Sequence, residues 1–161
     1  MMSLKQQYGS LALVAGASEG IGAAFSEYLA KEGLDLILVA RRKEPLEQFA
    51  ATLIGKYGIK ADCICCDLAA MNAAQELYDE LQGKEINLLV YNAALSYIGP
   101  FEKNSIEHHN RIAQANMITP MNLLQFFGSE MLDKGKGAVI LMASLAGFQG
   151  SGFLSVCVCS H

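Results

Sequence analysis

The sequence predicts an α/β fold, a doubly wound parallel sheet of about five strands with helices on both faces. Two patterns carry that reading. Short continuous apolar runs recur at 11–15, 36–40, 61–66, 88–92 and 138–143, each bounded by Gly, Asp, Asn or Lys, and runs of this length suit strands buried on both faces. Segments with 3.6-residue apolar spacing lie between them. Their alternation implies right-handed βαβ crossovers, and 161 residues with 52% apolar side chains suffice for one sizeable core.

The run at 11–15 leads into Gly16-Ala17-Ser18-Glu19-Gly20-Ile21-Gly22, and Ile21, Ala24, Phe25, Tyr28 and Leu29 follow at helical spacing. Gly16 and Gly20 permit a tight turn and close backbone approach. A helix starting near Gly20 then aims free N–H groups and the positive end of its dipole at an anion. The ligand implied is a dinucleotide. Three glycines equally serve an ordinary turn; the strand before and the helix after favour the phosphate cradle. Gly33 is placed to cap that helix before the run at 36–40. Leu46, Phe49, Leu53 and Tyr57 mark a second helix ending at Gly58, and Ala70, Ala73, Ala74, Leu77 and Leu81 mark a third after the run at 61–66.

The longest helix covers 107–131 and contains Pro120. The missing N–H should kink it and deprive the Asn116 carbonyl of its usual donor. Either a water fills a packing defect there, or Asn116 holds an ordered water for chemistry. The same helix presents Leu123, Leu124, Phe127 and Met131 as an apolar face suited to self-association.

Formal charge is −4 and Arg41-Arg42-Lys43 is the one basic cluster, so no nucleic-acid surface is indicated. The polar N-terminus, with a single Lys5, lacks the apolar core of a signal peptide, and later apolar runs are too short to span a bilayer. This reading places the protein in the cytoplasm and off the membrane. Cys63, Cys65 and Cys66, then Cys157 and Cys159, read as reduced thiols. Cys157, Cys159 and His161 lack a fourth ligand at a recognisable spacing, so no metal site is expected.

With the glycine string, Asp67, Asn92, Asn116 and Ser144 in this order on these elements, the chain resembles a short-chain dehydrogenase/reductase over about residues 8 to 156. The resemblance implies a Rossmann-type sheet, NAD or NADP bound across its C-terminal edge, and hydride transfer between the nicotinamide and a carbonyl or alcohol carbon of a small molecule. Gly16, Gly20 and Gly22 match the family's glycine motif, with Ser18 and Ile21 near the phosphates. Asp67 and Leu68 match the pair bordering adenine. Tyr91-Asn92-Ala93-Ala94 is similar to the family's Asn-Asn-Ala-Gly, with Ala94 putting a methyl where the last glycine stands. Ser144 matches the serine that hydrogen-bonds the substrate oxygen, and Asn116 the active-site asparagine.

Charge argues the cofactor. An NAD-specific site places a carboxylate at the end of the second strand, but Ala40 stands there and Arg41 follows. A guanidinium there suits the 2′-phosphate of NADP, which is favoured over NAD. Glu19 works against this, because NADP-preferring relatives often carry a basic residue before the second glycine.

The family pattern breaks near the end. Its tyrosine proton donor and the lysine four residues later fall, counted from Ser144, on Cys157 and His161. A thiol is shorter than a phenol, and its proton sits too far from a carbonyl placed for hydride transfer. The residues divide into a nucleotide-binding domain, 1–156, and a divergent tail, 157–161. The break fits a reading frame lost near Val156 or a shortened chain. It leaves the fifth strand as an exposed sheet edge that should favour homo-oligomers. The expected function is therefore an NADP(H)-dependent oxidoreductase by lineage, inactive in this form. The alternative is a non-catalytic nucleotide-binding or oligomer-forming remnant; a thiol or metal protein is more remote.

Overall fold

The apolar runs become strands β1 (Leu11–Ala15), β2 (Asp35–Ala40), β3 (Ala61–Cys65), β4 (Leu88–Tyr91) and β5 (Ala138–Leu141) in the computed structural model, which describes residues 2–148 and Phe153. All pair in parallel, in the order β3-β2-β1-β4-β5. From β1 the chain winds outward to β2 and β3, then crosses back to β4 on the other side of β1. The strand order therefore reverses at β1 and β4, where such sheets open a crevice at their C-terminal ends.

Period-two alternation divides the strands between two cores. Val14, Leu36, Leu38 and Val90 face Leu29 of α2 (Gly20–Lys31) and Leu46 and Leu53 of α3 (Lys43–Tyr57). Leu13, Ile37, Val39 and Leu89 face Leu77 of α4 (Ala73–Glu80) and the long helix. The expected strand ends hold to within two residues. β3 departs from the expectation of burial on both faces: it lies at the edge of the sheet, with Asp62 and Cys65 exposed.

On α2 the helical period is right but the phase is not. Ile21 and Tyr28 are more than half exposed, at 55% and 54%. The buried stripe is Gly22, Ser26, Leu29 and Ala30. Small residues win because the helix presses on the turn after β1: a Cβ on Gly22 would lie 2.0 Å from the Gly16 carbonyl oxygen. Ser26 enters this contact because its hydroxyl donates to the Gly22 carbonyl at 2.8 Å. At the other end the amides of Gly33 and Leu34 donate to Ala30 and Leu29, a Schellman closure at the glycine expected to cap. Capping also makes a short helix that periodicity did not reveal, α1 (Leu4–Tyr8), where Ser3 and Gln6 form a reciprocal box.

The long helix is built in pieces: α5 (Ile106–Ala113), a π turn (Gln114–Ile118), α6 (Thr119–Leu123), a second π turn (Leu124–Gly128) and α7 (Ser129–Asp133). The first π turn accommodates Pro120, which lands in the first turn of α6 where its missing N–H matters least. Thr119 N–H donates to the Gln114 carbonyl, the i to i−5 pattern of a π turn. Continued to Pro120, that pattern leaves the Ala115 carbonyl in need of a donor, one residue before the Asn116 expected from α-helical counting. The Tyr91 hydroxyl supplies it at 2.5 Å. No comparable sequence cause accounts for the second π turn. Leu123, Phe127 and Met131 are buried in the core rather than presented for self-association. Met121 and Leu132, at 61% and 82% exposure, form the outward apolar surface with Leu124.

β5 is the outer strand on its side among the described residues, and Leu141 is 48% exposed. No described helix is long and apolar enough to cross a membrane. Cys157, Cys159 and His161 lie outside the described residues.

Candidate functional site

A cleft of about 260 Å³ opens at the C-terminal ends of β1, β2 and β4. One wall is the turn after β1. Gly16, at φ +80°, packs so closely on the β4 exit that a Cβ there would lie 2.7 Å from the Ala93 nitrogen. Gly20, at φ +58°, opens α2 and meets no such crowding; its backbone conformation is what calls for glycine. The Gly16 and Ala17 amides donate to the Val39 carbonyl at 2.9 and 3.1 Å, and Asn92 Nδ2 donates to the Gly16 carbonyl at 3.4 Å. Turn, β2 and β4 are thus held as one rim.

The β2 exit supplies the positive charge. Ala40, Arg41 and Arg42 line the cleft. Arg42 Nη2 pairs with Glu19 Oε2 at 2.9 Å across its mouth, while Arg41 makes no ion pair among the described residues. Cys65 Sγ donates to the Arg41 carbonyl at 3.1 Å.

The β3 exit forms the opposite wall. Asp67 Oδ1 accepts from the Ala69 amide at 3.1 Å, and Oδ2 accepts from Arg111 Nη2 of α5 at 2.7 Å. Partial burial alone would raise the Asp67 pKa. The Arg111 and Ala69 hydrogen bonds, with the charges of Arg111 and Arg41, outweigh burial and hold the carboxyl below its usual range. Next to it, burial first and then the neighbouring carboxylates push the Cys66 thiol up to about 11, so it stays protonated at neutral pH. The Leu68 carbonyl accepts from the buried Thr119 hydroxyl at 2.9 Å, and Gln114 Nε2 donates to that hydroxyl at 3.1 Å. Arg111 and Thr119 therefore fasten this wall to the long helix.

Asn116 grips the loop after β4 with both ends of its amide: Oδ1 accepts from the Leu95 N–H and Nδ2 donates to the Leu95 carbonyl, each at 2.9 Å. Below it, Tyr91 is buried, and desolvation, with a smaller push from Cys66, raises its pKa well above the ordinary phenol value. Ser144 follows β5 at the same end of the sheet, half-buried, and its carbonyl accepts from the Gly147 amide at 3.1 Å.

Of the residues singled out in the sequence, Gly16, Ser18, Arg41, Asp67, Leu68, Asn92, Ala93 and Ala94 line one cleft. Gly20 and Gly22 shape its turn without lining it, and Ile21 points to solvent. Asn116 adjoins the cleft through Leu95; Ser144 stands beyond β5, outside the lining. Arg111, Thr119 and the Tyr91 hydroxyl escaped the sequence reading. Only the position of Arg111 and Thr119 on the Asn116 helix hinted at them.

The profile of short chain dehydrogenases matches residues 10–160. The chain belongs to the short-chain dehydrogenase family. It is similar to 7beta-hydroxysteroid dehydrogenase of Clostridium sardiniense, 33% identical over 147 residues that cover 91% of this chain and 56% of the relative. It is also similar to the Homo sapiens inactive hydroxysteroid dehydrogenase-like protein 1, 31% identical over 88% of this chain and 44% of that one. A solved 7beta-hydroxysteroid dehydrogenase superposes with a TM-score of 0.95 at 26% identity, covering 99% of this chain and 61% of its own. A short-chain dehydrogenase from Sphingobium yanoikuyae in complex with NADPH gives a TM-score of 0.88 at 28% identity, covering 94% and 59%. This family member thus spans little more than half the length of the 7beta-hydroxysteroid dehydrogenases it matches.

Proposed function

We propose that this short-chain dehydrogenase takes NADP(H), in preference to NAD(H), for oxidoreduction of a carbonyl or secondary alcohol. The observation that carries the reading is the β2 exit: Ala40 leaves no carboxylate to accept from ribose hydroxyls, and Arg41, which makes no ion pair among the described residues, stands in the same cleft as the glycine turn. The residues fit a dinucleotide. The amides at the start of the twelve-residue α2 serve the pyrophosphate with Ser18, and the Gly16 and Gly22 contacts leave no room for side chains in the cradle. Asp67 and Leu68 border the adenine, and Asn92, Ala93 and Ala94 flank the far half. When bound, the nicotinamide supplies or accepts the hydride. Ser144 would hydrogen-bond the substrate oxygen, and Asn116 would order a water beside it. The similarity to 7beta-hydroxysteroid dehydrogenases puts a 7-keto steroid among the first ketones to try. The reading also takes the protein as cytoplasmic and homo-oligomeric, with Met121, Leu132 and Leu141 at the contact.

A second reading rests on the tail. Cys157 and His161 occupy the spacing at which the family has its tyrosine and lysine, so we infer a nucleotide-binding protein with negligible turnover in this form. Calorimetry and a ketone panel test both. Tighter NADPH than NADH binding, with most of the difference lost in Arg41→Ala, is expected; equal affinity of the unmodified chain refutes the NADP preference. Reduction of any ketone that Ser144→Ala abolishes would reject the second reading.

A further inference from the structure

Around Pro120 the long helix has two hydrogen-bond registers open to it, and each orphans a different carbonyl. In an α-helical register the Thr119 N–H would donate to the Ala115 carbonyl, and the absent proline N–H would orphan Asn116. In the π register adopted here the Thr119 N–H donates to Gln114, and the orphan is Ala115. The hydroxyl of the buried Tyr91 donates to that carbonyl at 2.5 Å. We propose that Tyr91 is a positioning residue whose hydroxyl selects the π register, aims Asn116 at the loop after β4 and so shapes the far end of the cleft. Its consequence for the cofactor rests on the NADP(H) reading above; its consequence for the helix does not.

Two acceptors compete for one donor. Ala115 is buried, so its carbonyl is costly to leave bare, and with the Tyr91 hydroxyl on it the Thr119 N–H is free to serve Gln114. Without the hydroxyl, moving the Thr119 N–H to Ala115 closes an ordinary α turn. The orphan then passes to half-buried Asn116, where water can serve it. One residue of register is about 100° of helix phase, so Asn116 could no longer hold both the N–H and the carbonyl of Leu95, each at 2.9 Å. Leu95 and Ala115 line the cleft beside Ala93 and Ala94, so the change reaches the part of the cleft assigned to the nicotinamide half. Tyr91 stands where the motif it resembles has an asparagine, whose side chain is shorter by most of a ring, so the device belongs to this sequence.

Amide hydrogen exchange and titration calorimetry on the full chain test this with Tyr91→Phe, which keeps the ring and removes the hydroxyl. The Leu95 N–H should exchange about tenfold faster relative to the Leu13 amide of β1. NADPH should bind about tenfold more weakly, while adenosine 2′,5′-bisphosphate, which lacks the nicotinamide half, should stay within about twofold. Asn116→Ala should release Leu95 to the same extent, and adding Tyr91→Phe to it should release Leu95 no further, a non-additivity that independent sites do not show. Leu53→Ala loosens the core on the other face of the sheet and should change neither ratio, which separates register from general stability. The proposal is overturned if Tyr91→Phe leaves Leu95 exchange unchanged relative to Leu13, weakens NADPH and the bisphosphate equally, or if the unmodified chain binds no dinucleotide. Failure of the NADP(H) preference looks different: the unmodified chain would bind NADPH and NADH equally, while Tyr91→Phe would still release Leu95 and weaken both dinucleotides relative to the bisphosphate.

Discussion

β2 and β5 are both apolar parallel strands, but they end in different surroundings. β2 lies between β1 and β3 with helices on both faces, and Leu36, Ile37, Leu38 and Val39 are buried to within 1% of full burial. β5 has β4 on one side, and among the described residues nothing pairs with the other; its residues are half-buried and Leu141 is 48% exposed. The strands that position the glycine turn and Arg41 are therefore locked by packing. The strand that carries the chain to Ser144 pairs, among the described residues, with β4 alone, the Met142 amide extending the ladder to the Tyr91 carbonyl at 2.9 Å. The proposed cofactor residues and the proposed substrate residue Ser144 thus rest on strands of unequal burial.

The largest effect is expected at positions 157 and 161, where the proposed second reading puts Cys157 and His161 in place of the family's tyrosine and lysine. Replacing the tail from Cys157 with a tyrosine, three residues, a lysine and the following elements of a close relative should raise NADPH-dependent ketone reduction about 10²- to 10⁴-fold, the usual worth of a positioned proton donor. Cys157→Tyr alone should not, because it supplies a phenol with no cation to tune it. Equal turnover by the single variant and the graft would show that the foundation of the Ser144 side is not limiting.

Packing gives the next contrast. Leu38→Ala should destabilise the chain by about 2–5 kcal/mol, the range for truncating a fully buried leucine, whereas Val139→Ala on half-buried β5 should cost roughly 1 kcal/mol or less. Urea unfolding followed by circular dichroism compares them. Equal costs would mean that β5 is covered in solution, most simply by a second copy of the chain. A smaller effect is due at Tyr91→Phe, which leaves the buried Ala115 carbonyl without its donor at a cost of about 1–3 kcal/mol. A neutral result would mean another donor replaces it.

How much of this was legible differs between the same two regions. Strand runs and glycines follow local rules, so the β1 turn and the five strands could be read directly, whereas Ser18, Asp67, Leu68 and Asn92 to Ala94 were reached through the family resemblance. The phase of α2 could not, because close approach to the Gly16 carbonyl selects small residues over the larger Ile21 and Tyr28, and only tertiary contact reveals that. The π turn was half legible: Pro120 announced an orphaned carbonyl, but α-helical counting pointed to Asn116, whereas the wider turn and Tyr91 OH single out Ala115. Arg111 and Thr119 were invisible because each meets a partner far away in sequence, Asp67 and Leu68.

The smallest effect concerns the pair that ties the β3 exit to the long helix, Arg111 and Asp67. Both side chains are more than a third exposed, at 38% and 39%, so solvent screens the pair and it contributes at most about 1 kcal/mol. Its pH dependence is nevertheless fixed in sign. The Asp67 carboxyl lies below its ordinary value in the folded protein, so the folded state favours the charged form. The stabilisation is fully present above the unfolded carboxyl pKa of about 3.9 and fades as pH falls through the lower folded value. Arg111→Met should therefore lower the melting temperature at pH 6, and the gap from the unmodified chain should narrow toward pH 3. The same variant removes one of the two ties between the Asp67 wall and the long helix, leaving the Thr119–Leu68 bond and Arg41 in place, so NADPH and NADH binding should weaken together and slightly. A gap that widens on acidification, or a loss confined to NADPH, would show that Arg111 acts on the cofactor phosphate directly instead of holding the Asp67 wall in place.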